Sequence, residues 1–242
     1  MQCSQKRVRL GAGFNKFQNP PGTLFWLGQT GHLCNSARTM RVEPLPRDFY
    51  LPSAADVAPR LLGHLLLRRQ GKNWFGGPIV ETEAYLVEDP ACHSFRGETA
   101  RNRVMFGEPG HAYVYFIYGC HFCVNAVCQP FGVAEAVLIR AIEPAIGEDR
   151  ILQNRPGSRR GNLTNGPGKL CQALEIAREH NGLDITRRTS EIVIARNPDL
   201  EAALKTSGPV VVSARVGITR AAHLPLRFYL ANSHFVSRRA EA

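Results

Sequence analysis

Apolar residues in this chain fall mostly into short β-like runs, and a few stretches carry helical spacing instead. Ser53-Ala54-Ala55-Asp56 reads as an N-cap with an acid three residues on, and Val57, Leu61 and Leu62 then share one apolar face of a short helix that Gly63 stops. Leu65 to Arg69 is strand-like, and Gly71-Lys72-Asn73 turns the chain into a second strand ending near Leu86. Ala112 to Ile117 and His121 to Cys128 are joined at Tyr118-Gly119-Cys120, which is hairpin spacing with a glycine available for positive φ. A further strand is expected at Ala136 to Ile142 and a short helix from Gly147 to Asn154. After a basic, glycine-rich loop from Arg155 to Gly161, Asn165-Gly166-Pro167-Gly168-Lys169 opens a helix whose Leu170, Ala173, Leu174 and Ala177 share a face. Strands at Ile192 to Ala195, Val210 to Ile218 and Arg227 to Leu230 complete a strand-rich α+β pattern with no repeat and no βαβ rhythm.

Three of the apolar runs each keep one polar residue: Glu83, Asn125 and Arg140. An unpaired buried charge is costly, so these groups are expected to find partners. Strand periodicity puts Glu81, Glu83 and Tyr85 on one face, with Val80, Thr82 and Ala84 on the other. Taken alone, that segment reads as a solvated sheet face. It does not suit a paired-carboxylate glycosidase, whose acids flank the scissile bond. Arg140 changes the balance, because a guanidinium inside an apolar strand needs a carboxylate; Glu83 is one candidate and Glu143 another, and a purely structural ion pair is the alternative.

The run Tyr113 to Gly119 is aromatic, and Tyr118 stands at its tip, where a ring has little core to enter. Such a ring fits between base steps, filling the gap left by an extruded nucleotide. Tyr85 and Tyr115 form either a stacking slot or core, and Tyr113 is expected in the core. His93 and the Cys120-His121-Phe122-Cys123 cluster lack the paired ligand spacing of a zinc site, so no metal is expected. Gly166-Pro167-Gly168-Lys169 offers backbone N–H groups and a lysine at a helix start, either for a phosphate or as an ordinary cap. Arg101 and Arg103, like Arg159-Arg160, are candidate phosphate contacts or simply solvated.

Composition sharpens this picture in three ways. At 242 residues and 44% apolar content, one domain is the default, and no window reaches the length of a membrane span. Lysine and arginine number 30 against 20 acids, which favours anionic partners and nucleic acid first. Five of the ten net charges (Lys6, Arg7, Arg9, Lys16, Arg38) fall in residues 1–40, which contain no acid. That arm reads as a transit peptide, a disordered DNA-binding arm or an extension preceding a start at Met40, and residues 41–242 as the folded domain. Seven scattered cysteines suit reduced thiols in a cytosolic, bacterial setting, or a nuclear or organellar one in a eukaryote. A monomer is the default expectation.

VETEAY (80–85), ACHS (91–94), RNRVMF (101–106), YVYFIYG (113–119), FCVN (122–125), LIRAIEP (138–144), GPGKLCQAL (166–174), ARVG (214–217) and PLRFY (225–229) resemble, in this order, the alkyladenine (3-methyladenine) DNA glycosylases. The likeness runs from about Arg41 to Ser237. It implies a compact domain around a curved antiparallel sheet with short flanking helices and a protruding hairpin, which bends duplex DNA and flips a damaged purine into a pocket without a cofactor. By resemblance, Glu83 is the general base, with Arg140 and the Val216 carbonyl holding its water. Tyr85, His93 and Tyr115 sandwich the base, Asn125 obstructs the guanine amino group, Tyr118 is the wedge, and Met105 lies against the DNA. A segment from Tyr85 to His93 about one residue short of the mammalian members, Phe95 in place of an arginine, and Cys120-His121 after the wedge are departures that bear on lesion range. No lysine is expected in the pocket set, so a Schiff-base lyase is not expected either.

Overall fold

A computed structural model of the chain describes residues 41–239, so the expectations for residues 1–40 lie outside the described part. The order of elements is α1 (Ala54–Leu61), β1 (Leu65–Gln70), β2 (Asn73–Tyr85), β3 (Ala112–Ile117), β4 (His121–Cys128), β5 (Glu135–Ile142), α2 (Glu148–Asn154), α3 (Pro167–Ala173), β6 (Ile192–Ala195), α4 (Leu200–Ser207), β7 (Val210–Ser213) and β8 (Arg227–Leu230). Ser53 caps α1 by accepting from the Ala55 amide, and Glu135 reinforces the cap by accepting from the Ala54 amide at 2.8 Å. Among the described residues no helix is long and apolar enough to cross a membrane.

All eight strands pair antiparallel in one sheet, ordered β3-β4-β5-β2-β1-β6, with β8 also on β2 and β7 beyond it. Strand β2 carries the architecture. Its first half pairs with β1 through Pro78, while its second half runs between β5 and β8. The β2–β5 register shifts on either side of Glu81, so that Glu81 faces Ala141 and Thr82 faces Ile139. Arg140 thereby drops out of the ladder between them. A bulge of this kind re-aims a side chain, and here it sets the guanidinium on the same side as Glu81 and Glu83.

Residues directly opposed across antiparallel strands share a face. Register therefore lays out one transverse row, Tyr113, Asn125, Leu138, Glu83 and Arg227, on strands β3, β4, β5, β2 and β8. The opposite face presents Val80, Ala84, Val114, Val124, Val137 and Ile139 to Leu61 of α1 and Leu170 of α3 in the main core. One face of the sheet holds the fold together and the other is free to build a site.

Two expected elements are corrected. Val210 to Ile218 is not one strand: β7 stops at Ser213, because Arg215 turns inward onto Asp89 and the Ala84 carbonyl and draws the chain off the sheet. The helical face expected to reach Ala177 ends at Ala173; Glu175 takes a left-handed φ of 51° and the Ile176 amide bonds back to the Cys171 carbonyl, closing the helix end. Helix α4 was not anticipated.

Candidate active site

Tyr113, Asn125 and Leu138 of the transverse row line a cavity of about 380 Å³ whose wall also includes Tyr85, His93, Tyr115, Arg140 and Val216. Glu83 lies directly behind that wall and is fully buried. Its Oε2 accepts from the Tyr85 hydroxyl at 3.0 Å and faces Arg140 Nη1 at 3.2 Å, and its Oε1 accepts from the Val216 amide at 2.7 Å. The expected pairing of Glu83 with Arg140 is therefore present. The expected rival Glu143 is not the one that competes. Glu81 is: it binds Arg140 Nε at 2.8 Å and Arg227 Nε at 2.7 Å. Two carboxylates and two guanidiniums thus make a neutral buried cluster, which is how the sheet tolerates four charges away from water. The solvated-face reading of Glu81 and Glu83 does not hold, since both side chains are buried beneath the cavity wall.

The rings are held from outside the cavity. Arg215, itself buried and paired with Asp89, sits 4.7 Å from the centre of the Tyr85 ring and covers one of its faces. His93 Nδ1 pairs with the Tyr113 hydroxyl at 2.9 Å, and its ring meets Tyr115 edge-on, 4.5 Å between centres. Tyr113 is in the core as expected, but it also orients His93, a role its position in an apolar strand did not signal. Burial, followed by the nearby Glu83 charge, pushes the Tyr85 phenol far up; burial does the same to Tyr115. Both stay protonated. Burial, with Arg101 next, lowers the His93 pKa, so this imidazole is neutral at neutral pH. A cationic guest would meet electron-rich rings and no competing ring charge. Asn125 is buried beside them, its Nδ2 donating to the Tyr113 carbonyl at 3.0 Å.

At the rim, Tyr118 is 78% exposed on the tip of the β3–β4 hairpin. Both it and Gly119 adopt positive φ, 53° and 69°, so the turn holds the ring outward. Gly168 approaches so closely that an added Cβ would stand 2.9 Å from the His121 ring. That contact draws the start of α3 into the wall and brings Lys169 with it, its Nζ donating to Asn165 at 2.9 Å. The expectation of a pocket without lysine is corrected on this point. Met105, 2% exposed, packs with Cys92, Tyr113 and Ala136 and lines the cavity. Arg101 lies over the Tyr115 ring at 5.8 Å and bonds the Phe116 carbonyl, whereas Arg103 is exposed and paired with Glu98. Arg160 is engaged by Glu148. Among the described residues no three His, Cys, Asp or Glu side chains converge as metal ligands.

An aromatic-walled cavity with a buried acid behind it and an exposed ring at its rim has the parts required by one class of enzyme, the glycosylases that hydrolyse a bond to an extruded base of DNA. Sequence comparison makes the assignment specific. The family model for methylpurine-DNA glycosylase matches residues 48–234. A protein of Carboxydothermus hydrogenoformans is 47% identical over 195 residues, covering 81% of this chain and 99% of its own length. One of Methanoculleus marisnigri is 49% identical over 195 residues with the same coverage. A third, of Francisella tularensis, is 42% identical over 184 residues, or 76% of this chain and 93% of its own. All three carry the name "Putative 3-methyladenine DNA glycosylase". The chain belongs to the methylpurine-DNA glycosylase family and is a base-excision repair glycosylase, a hydrolase.

Proposed function

We propose that this protein removes N-alkylated purines, of the 3-methyladenine type, from duplex DNA by direct attack of water, with Glu83 as the general base. The observation that carries this reading is the fully buried Glu83 carboxylate, held from three sides at the back of the aromatic cavity. An ionised carboxylate oxygen accepts about two hydrogen bonds. Oε2 accepts one from Tyr85 and is faced by the Arg140 Nη1 charge at 3.2 Å. Oε1 has one among the described residues, from Val216, and so keeps one lone pair for a water.

The reaction follows from that vacancy. As the water oxygen bonds to C1′, the C1′–N bond breaks and its electron pair goes to the purine, which leaves neutral because it was cationic while attached. The water proton passes to Glu83 Oε1. An N-alkylated base leaves readily, so activating water matters more than protonating the leaving group. Tyr85, His93 and Tyr115 hold the extruded base, and the cation–π attraction of such rings, about 0.5–2 kcal/mol, favours a charged lesion over its neutral parent. Asn125 reads the base edge. Tyr118 fills the gap in the duplex, and Arg101, Arg103, Gly168 and Lys169 meet the phosphates. One chain supplies all of these groups, so a monomer suffices.

A module that only binds damaged nucleic acid would have no use for a buried acid at this position. Glu83→Gln tests the difference, since the amide keeps the shape and loses the base. Excision under single-turnover conditions should fall by about 10²- to 10⁴-fold while affinity for a lesion duplex is kept. Excision at the original rate would end the proposal.

A further inference from the structure

We propose that Glu81 is a positioning residue for this reaction, acting through Arg140 to keep one oxygen of Glu83 open. The inference rests on the reading of Glu83 as base. Glu81 is engaged by the other end of the cluster, accepting four hydrogen bonds: from Arg140 Nε at 2.8 Å, Arg227 Nε at 2.7 Å, Ser237 Oγ at 2.8 Å and the Ser237 amide at 2.6 Å. Ser237 Oγ also accepts from Arg140 Nη2 at 3.1 Å. Two of the three guanidinium nitrogens are thereby pinned on the far side from the cavity. A guanidinium is planar, so fixing two nitrogens fixes the third, and Nη1 is left 3.2 Å from Glu83 Oε2 as a single ion-pair contact.

That single contact has a chemical consequence. An arginine free to choose grips a carboxylate with two parallel N–H bonds, one to each oxygen. If Arg140 did so with Glu83, it would fill the lone pair on Oε1 that the water needs. Glu81 and Ser237 prevent this by holding the other edge of the fork. The register shift beside Glu81 serves the same end, because it leaves Arg140 between the two carboxylates instead of opposite one of them. Ser237 belongs to the segment after β8, so closure of that segment over Glu81 completes the geometry of the site.

The test separates a positioning role from a structural one. Glu81→Gln should slow single-turnover excision by about tenfold or more, the equivalent of one or two lost hydrogen bonds, with lesion-duplex affinity unchanged. In an Arg140→Lys background, where no two-pronged grip exists, adding Glu81→Gln should cost less than about twofold. Equal losses in the two backgrounds, or a loss of affinity in place of rate, would overturn the inference. If Glu81→Gln does not fold, Ser237→Ala carries the test: it removes one pin and should slow excision about fivefold without weakening binding, and an unchanged rate refutes the proposal. Glu83→Gln run alongside keeps the two ideas apart. Excision by that variant removes the base assignment itself, whereas its inactivity together with additive Glu81 and Arg140 effects removes only the positioning role.

Discussion

Replacing Tyr118 by alanine isolates the wedge from everything else the fold does. The ring is 78% exposed, and its backbone φ of 53° is equally unfavourable for tyrosine and alanine. Neither burial nor turn strain changes, so stability should stay within about 0.5 kcal/mol of the parent, read as an unaltered melting curve. The loss should fall on extrusion alone. Stacking of a base on an aromatic side chain contributes about 1–3 kcal/mol, which corresponds to a roughly 5- to 150-fold smaller fraction of flipped nucleotide. Single-turnover rates at saturating enzyme measure that fraction directly. On a duplex with one central 3-methyladenine-type lesion the rate should drop by such a factor. On a single strand carrying the same lesion, where no partner strand has to be held apart, it should change less than about twofold. Equal losses on both substrates would mean that Tyr118 shapes the cavity mouth and does not wedge the duplex.

Two other outcomes follow from groups in the wall. His93 has its pKa lowered by burial and then by Arg101, so it is neutral above its ordinary value of 6.5 and takes a proton only as pH falls below it. Affinity for a duplex with a cationic lesion should therefore be flat through neutrality and weaken, by about tenfold, as acid charges His93; in His93→Gln that acid-side loss should vanish, and titrations at fixed ionic strength decide it. Lys169 lines the cavity but donates to Asn165, so borohydride added during turnover should trap no covalent enzyme–DNA adduct, and a clear adduct on a denaturing gel would make the enzyme a lyase.

What could be read from the sequence was set by cost. Glu83, Asn125 and Arg140 stood out because apolar strands do not keep such groups without partners, and the partnership of Glu83 with Arg140 needed only the rule that buried charges pair. Tyr118 was legible for the opposite reason, as a ring at a turn with no interior to enter. The choice of Glu81 over Glu143 as second partner was not legible, because it depends on two register shifts in β2–β5 that no local pattern encodes. A one-residue change of register moves a side chain between faces, so the faces of Glu81 and Glu83 could be paired from periodicity but their distances could not. Met105 shows the same limit. The resemblance assigned it a place against the DNA, whereas its packing with Cys92, Tyr113 and Ala136 at the cavity wall depends on segments distant in the chain. Likewise Val210 to Ile218 has the composition of one strand, yet a buried ion pair between Arg215 and Asp89, 126 positions apart, ends it at Ser213 and swings the Val216 amide onto Glu83. The site is thus assembled from long-range constraints acting on locally ordinary segments. Chemistry was visible wherever one residue violated its surroundings, and hidden wherever two distant residues had to meet before either looked unusual.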